Sequence, residues 1–155
     1  MDGSPMSALP ISLVRDSSVV PEVVPAECQF IEDGPVADIK AGAPAAVGLT
    51  NSGVVVNLMA LESETRAADT VLRLAELTSD PQCASYTTNG KPVTVSPEKT
   101  AVSGLDNALR LTMVEDGDTN ISITGNVGTV VVVVATPEAQ GQHLADLVNQ
   151  VLAQL

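Results

Sequence analysis

The C-terminal stretch TVVVVVATPEAQGQHLADLVNQVLAQL, Thr129–Leu155, decides the reading of this chain. Val130 to Ala135 form an unbroken apolar run that stops at Thr136-Pro137. β-Branched side chains are stiff at χ1 and suit a pleated surface, and a run without polar alternation suits a strand covered on both faces. Beyond it Leu144, Leu147, Val148, Val151, Leu152 and Leu155 recur at helical spacing. The stretch therefore predicts a central strand followed by an amphipathic helix, continuing to the last residue, that lies back across the sheet.

Working back from this run, Gly125-Asn126-Val127-Gly128 reads as the turn into it, and Asn120 to Thr124 as a strand alternating through Ile121 and Ile123. Glu115-Asp116-Gly117-Asp118 is the preceding turn, and Leu105 to Val114 alternates through Leu109, Leu111 and Met113. Asn89-Gly90 between Ser85–Thr88 and Pro92–Ser96 is a strong hairpin dipeptide. Gly53 to Leu61 predicts a strand. A helix then starts with Ser63 as N-cap and Glu64 in the first turn, buries Ala67, Ala68, Val71, Leu74, Ala75 and Thr78, and ends at Asp80-Pro81. After residue 52 the order is β-α-β-β-β-β-β-α, an α+β fold in which an antiparallel meander carries two main helices. Residues 28 to 52, with Gly34-Pro35, Gly42, Pro44 and Gly48, read as loop with at most a short helix from Val36 to Ala41. Residues 1–20 read as a flexible arm and 21–155 as one domain; the prolines at 21 and 25 bar a long helix there.

Composition narrows the function. The chain has 155 residues, enough for one real core, and 45% are hydrophobic. Phe30 and Tyr86 are its only aromatic residues, which weakens any function built on base or sugar stacking. The net charge is −12 and the seven Lys and Arg are scattered, so nucleic acid and anionic membrane surfaces are poor partners. No apolar run is long enough to span a membrane, and no signal peptide is present.

Candidate chemistry is sparse. His143 is the only histidine, and neighbouring Glu138 and Asp146 supply no recognised constellation, so it reads as a surface or rim residue. Cys28 and Cys83 lie outside any CxxC pair; they could form one disulfide or remain two buried thiols, and no base motif marks either as a nucleophile. Glu115 to Asn120 lacks the full ligand series of a calcium loop and is explained as a hairpin. Gly125–Gly128 precedes a strand rather than a helix N-terminus, so it is no phosphate loop. Asn120-Ile121-Ser122 matches a glycosylation sequon, but inside a strand. No catalytic, metal or cofactor-binding residue is assigned.

The order of these features resembles a family. Pro25-Ala26-Glu27-Cys28, the Ala-rich helix from Ala67-Ala68 through Leu77 with Cys83 at its end, Gly104-Leu105-Asp106-Asn107-Ala108-Leu109-Arg110-Leu111, and Thr124-Gly125-Asn126-Val127 before an apolar strand are similar to actinobacterial extracytoplasmic sensor-like domains. These include the extracellular domains of PknH-type kinases and the PsbP-like, LpqN-type cell-envelope lipoproteins. The resemblance, over roughly residues 20 to 155, implies a protein outside the cytoplasmic membrane, with its signal or lipid anchor missing from this chain, and a Cys28–Cys83 disulfide. It further implies a cleft between sheet and helices for an apolar or envelope-derived ligand, or for an envelope protein, without catalysis. The alternative is an adaptor that docks a protein through a sheet face or edge. The PknH-type domain has a further disulfide and a Trp near its helix cysteine that this sequence lacks, so no ligand residues are carried over.

Overall fold

A computed structural model describes residues 6–9, 22–40 and 42–155, with side chains described for 22–34 and 42–155. The described strands form a nine-stranded sheet in which every pairing is antiparallel. They are β1 (Met6–Leu9), β2 (Val23–Val24), β3 (Ala45–Thr50), β4 (Val55–Ala60), β5 (Ser85–Thr88), β6 (Lys91–Lys99), β7 (Asp106–Glu115), β8 (Asp118–Val127) and β9 (Val130–Pro137), in the order β1-β3-β4-β9-β8-β7-β6-β5-β2. The helices are α1 (Gln29–Lys40), α2 (Glu64–Ser79) and α3 (Leu144–Leu152). From β4 onward the order is the expected β-α-β-β-β-β-β-α, an α+β fold. Among the described residues no helix is long and apolar enough to cross a membrane.

The valine run is β9, and it lies inside the sheet with β4 on one side and β8 on the other. Its side chains alternate between two helical layers. Val132 and Val134 pack with Val56, Ile123, Leu144, Leu147, Val148 and Val151 in the core under α3. Val131 packs instead with Met59, Ala67 and Val71 under α2. The helices therefore cover opposite faces. The last helix is shorter than its periodicity suggests: a 3-10 segment, Glu138–His143, precedes it, and Leu155 lies past its end and is 57% exposed.

Local chemistry explains the well-read elements. The Ser63 hydroxyl accepts from the Arg66 amide at 3.1 Å and caps α2. Thr70 and Thr78 are buried on that helix because their hydroxyls donate to the Arg66 and Leu74 carbonyls at 2.9 and 2.8 Å. Asn89-Gly90 and Asp116-Gly117 both adopt the positive φ of a tight hairpin turn. Lys91 and Asp116 pair at 2.9 Å across these neighbouring tips, exposed on both sides and therefore of little energetic consequence.

Two expectations need correction. Residues 28–52 are not mainly loop. α1 occupies 29–40 with an interruption at Gly34 (φ 1°, ψ −100°), and β3 pairs with both β1 and β4. Pro35 opens the second helical segment, where a missing N–H lacks an intrahelical acceptor anyway, so Gly34-Pro35 bends the helix rather than ending it. The expected helix 36–41 is its second half, up to Lys40; residue 41 lies outside the described residues. The turn expected at Gly125–Gly128 is displaced: β8 runs through Val127, and the chain reverses at Gly128-Thr129. Gly125 is a strand residue paired with Val132, and glycine is required there because a Cβ would stand 2.8 Å from the Asp106 carbonyl oxygen and 2.5 Å from Leu105 Cγ. Asn126 is buried, accepting from Asn107 Nδ2 at 2.9 Å and donating to the Gly128 carbonyl at 3.3 Å. The arm expected over 1–20 lies outside the described residues except for Met6–Leu9, which pairs with β3 at the sheet edge.

Candidate functional site

The sheet face toward α1 and α2 holds two separate packed clusters. One joins Val23, Cys28, Ile31, Leu74, Tyr86, Val93, Leu109 and Leu111; the other is the Met59–Val131 group under the N-terminal half of α2. Between them lies a cleft of about 250 Å³. Its floor is made by three adjacent rows of the ladder. Asn57, Val133 and Thr124 are side by side, then Ala135, Ser122 and Leu111, then Asn120 and Met113. Ile31 and Glu32 of α1 and Leu74 of α2 form its helical wall.

The cleft exists because the inward-facing positions of the central strands become small or polar there. Ala135 follows Val131 and Val133 on the same face of β9, and β8 offers Asn120, Ser122 and Thr124. No side-chain hydrogen bond to Asn57, Asn120 or Ser122 is formed among the described residues, so these groups are open to a ligand. The volume is below the roughly 300–1,000 Å³ of a drug-sized site, which suits a small molecule or one end of a longer one.

Among the described residues Glu32 is the one ionisable group lining the cleft. Tyr86 donates its phenolic O–H to Glu32 Oε1 at 2.6 Å, and Thr88 donates to the same oxygen at 3.3 Å. Tyr86 is buried, 3% exposed, and burial first, then the bond to and charge of Glu32, push its phenol well above the ordinary range. Because the folded phenol titrates above the unfolded one, its stabilising contribution is intact below about pH 10 and is lost as pH rises toward the folded value. Tyr86 is the only tyrosine. Tyrosinate absorbance should therefore stay absent above pH 10 until the chain unfolds. Stability should fall there by up to about 1.4 kcal/mol per pH unit beyond the fall seen in Tyr86→Phe. Phenolate absorbance rising near pH 10 in folded protein would show that this hydroxyl is not held as described.

The helical wall is tied to the sheet by a disulfide. Cys28 and Cys83 are bonded, with Cα atoms 5.5 Å apart, both at most 1% exposed. In this state neither sulfur is a thiolate nucleophile. Cys83 follows α2, and Cys28 directly precedes α1, placing Ile31 and Glu32 three and four residues from the tether. The other candidates stand apart. His143 is exposed at the start of α3, across the sheet, its ring 3.3 Å from the Gln142 amide nitrogen, and Asp146 is exposed without an ion pair to it. Among the described residues no group of three His, Cys, Asp or Glu is placed to hold a metal. The sequon residues Asn120 and Ser122 are floor residues of the cleft.

The floor was legible in one respect that the periodicity hides. Asn57 interrupts an otherwise apolar strand, and Asn120, Ser122 and Thr124 take the inward positions opposite the parity of Ile121 and Ile123. Glu32 carried no such signal, because it lies in the segment read as loop.

No protein-family model matches the chain, and no curated protein matches it. Among solved structures it is similar to the extracellular domain of PknH from Mycobacterium tuberculosis, with a TM-score of 0.49 and 13% identity, covering 100% of this chain and 81% of that one. It is also similar to an uncharacterised protein of Mycobacterium smegmatis, the Rv0999 ortholog, with a TM-score of 0.39 and 13% identity, covering 86% of this chain and 72% of that one.

Proposed function

We propose that this chain is a non-catalytic binding module of an extracytoplasmic compartment, of the sensor or lipoprotein-like kind, that takes a small amphipathic or envelope-derived ligand in the cleft between sheet and helices. The observation that carries this reading is the cleft itself: apolar walls from Ile31, Leu74, Leu111 and Met113 around uncommitted polar groups on a rigid floor. A buried disulfide supports an oxidising location. The absence of catalysis is part of the proposal; among the described residues the cleft offers one carboxylate, already engaged by two hydroxyls, with no second titratable group in its lining. A second groove, about 440 Å³, runs past Leu72, Ala75, Val102 and Leu105, but its Asn107 is already committed to Asn126.

Native mass spectrometry of protein purified without reductant from an actinobacterial host tests the reading. The expected result is a bound mass on the wild type that is lost in Ala135→Phe, which fills the floor of the cleft. A bare wild-type mass, or a bound mass indifferent to Ala135→Phe, would overturn it. The second reading is a protein adaptor docking by strand addition. It is favoured by the two-residue edge strand β2, where Val24 is 54% exposed. A bare wild-type mass together with a partner lost on Val24→Lys would support that alternative.

A further inference from the structure

We propose that the cleft selects a ligand with a cationic amine end, bound at Glu32, and an apolar body. This rests on the small-molecule reading above and specifies its chemistry. Glu32 accepts both of its side-chain bonds, from Tyr86 and Thr88, on Oε1. Its other carboxylate oxygen accepts no hydrogen bond among the described residues, and a carboxylate is an acceptor at both oxygens. An ammonium satisfies it with a charge-assisted bond, which is stronger than a neutral one.

The surroundings point the same way. Among the described residues no Lys or Arg lines the cleft. None of the five cations with described side chains lines it: Arg73 stacks 4.2 Å from the Phe30 ring centre, Lys91 pairs with Asp116, Lys99 lines the second groove, Arg110 lies near Gly141 on the α3 face, and Arg66 sits in the first turn of α2. Glu115 stands in the same cross-strand row as Tyr86, one strand beyond Val93, so a second carboxylate belongs to this end of the sheet face. A carboxylate or phosphate ligand therefore meets like charge with no counter-ion among the described residues, whereas an amine gains, chiefly from Glu32. Leu74, Leu111 and Met113 then receive the chain of the amine, and Asn57, Asn120 and Ser122 receive any hydroxyl or amide it carries.

The test is a comparative titration of the disulfide-bonded chain with octylammonium, octanol and octanoate at low ionic strength, followed by amide chemical shifts. Octylammonium should bind about tenfold or more tighter than octanol, a margin equivalent to about 1.4 kcal/mol, with octanoate weakest. Glu32→Gln retains an acceptor oxygen for Tyr86 and should bring octylammonium and octanol to equal affinity. Glu115→Gln should leave most of the preference in place. Octanol binding as tightly as octylammonium to the wild type, or a preference that survives Glu32→Gln, overturns the charge selectivity and leaves the cleft as an apolar site. A preference lost equally in Glu115→Gln overturns the assignment to Glu32. Failure of all three compounds to bind overturns both this inference and the small-molecule reading beneath it.

Discussion

Replacing Cys28 and Cys83 together by alanine should lower the unfolding free energy by about 4 kcal/mol. The bond spans 55 residues, and the chain-entropy relation gives that figure for a loop of this length. For a chain of this size the midpoint of thermal unfolding should fall by about 8–16 °C. Alanine is the better probe than serine because both sulfurs are buried, and a hydroxyl there would add a desolvation cost unrelated to the tether. Reductant should shift the wild type by a similar amount and leave the double variant unmoved. The effect should reach the cleft as well, since α1, which carries Ile31 and Glu32, is anchored at its start by this bond. Loss of ligand retention under reductant at a temperature where the chain remains folded is the expected functional signature. A double variant melting within 2 °C of wild type would remove the tether from the account.

Leu147→Ala should cost about 3 kcal/mol, within the 2–5 kcal/mol seen for buried leucine truncations. Leu147 is 2% exposed and packs among Val132, Val134, Ile123 and Val148, in a face of the core built almost wholly from aliphatic side chains. Leu155→Ala should change stability by less than about 0.5 kcal/mol, because that side chain lies beyond α3 and is largely solvated. The pair is a direct measure of where the helix stops: the two leucines are equivalent in the periodic pattern and differ only in what they touch. Chemical denaturation of both variants gives the comparison. Equal losses would mean that the apolar face continues to the C-terminus.

Much of the framework could be read from local signals. Ser63 and Asp80-Pro81 mark the ends of α2, two dipeptides with glycine mark the hairpins, and the valine run marks the interior strand. Each works because the responsible interaction lies within a few residues: a hydroxyl reaching the third amide along, or a backbone that requires positive φ. The segment from 28 to 52 misled for the converse reason. Its glycines and prolines are local breakers, and non-local packing of α1 against α2, with pairing of β3 to β1 and β4, overrides them. Gly125 is the same error in the other direction, a residue suited to a turn that is required instead by the approach of Leu105 and Asp106.

The sequence by itself determined the α+β class, the strand order from residue 53 onward, the interior position of Val130–Ala135 and the scarcity of catalytic groups. Those follow from period, turn chemistry and composition, which are properties of neighbouring residues. Only the tertiary structure decided that α2 and α3 cover opposite faces, that Cys28 and Cys83 are bonded, and that Glu32, Asn57, Asn120 and Ser122 meet around one cleft. These residues come from α1, β4 and β8, and are brought together by sheet register and by a helix tethered across 55 residues. A polar side chain at an inward position has the same letter whether it is buried against a partner or left facing a cavity. The packing around it makes the difference.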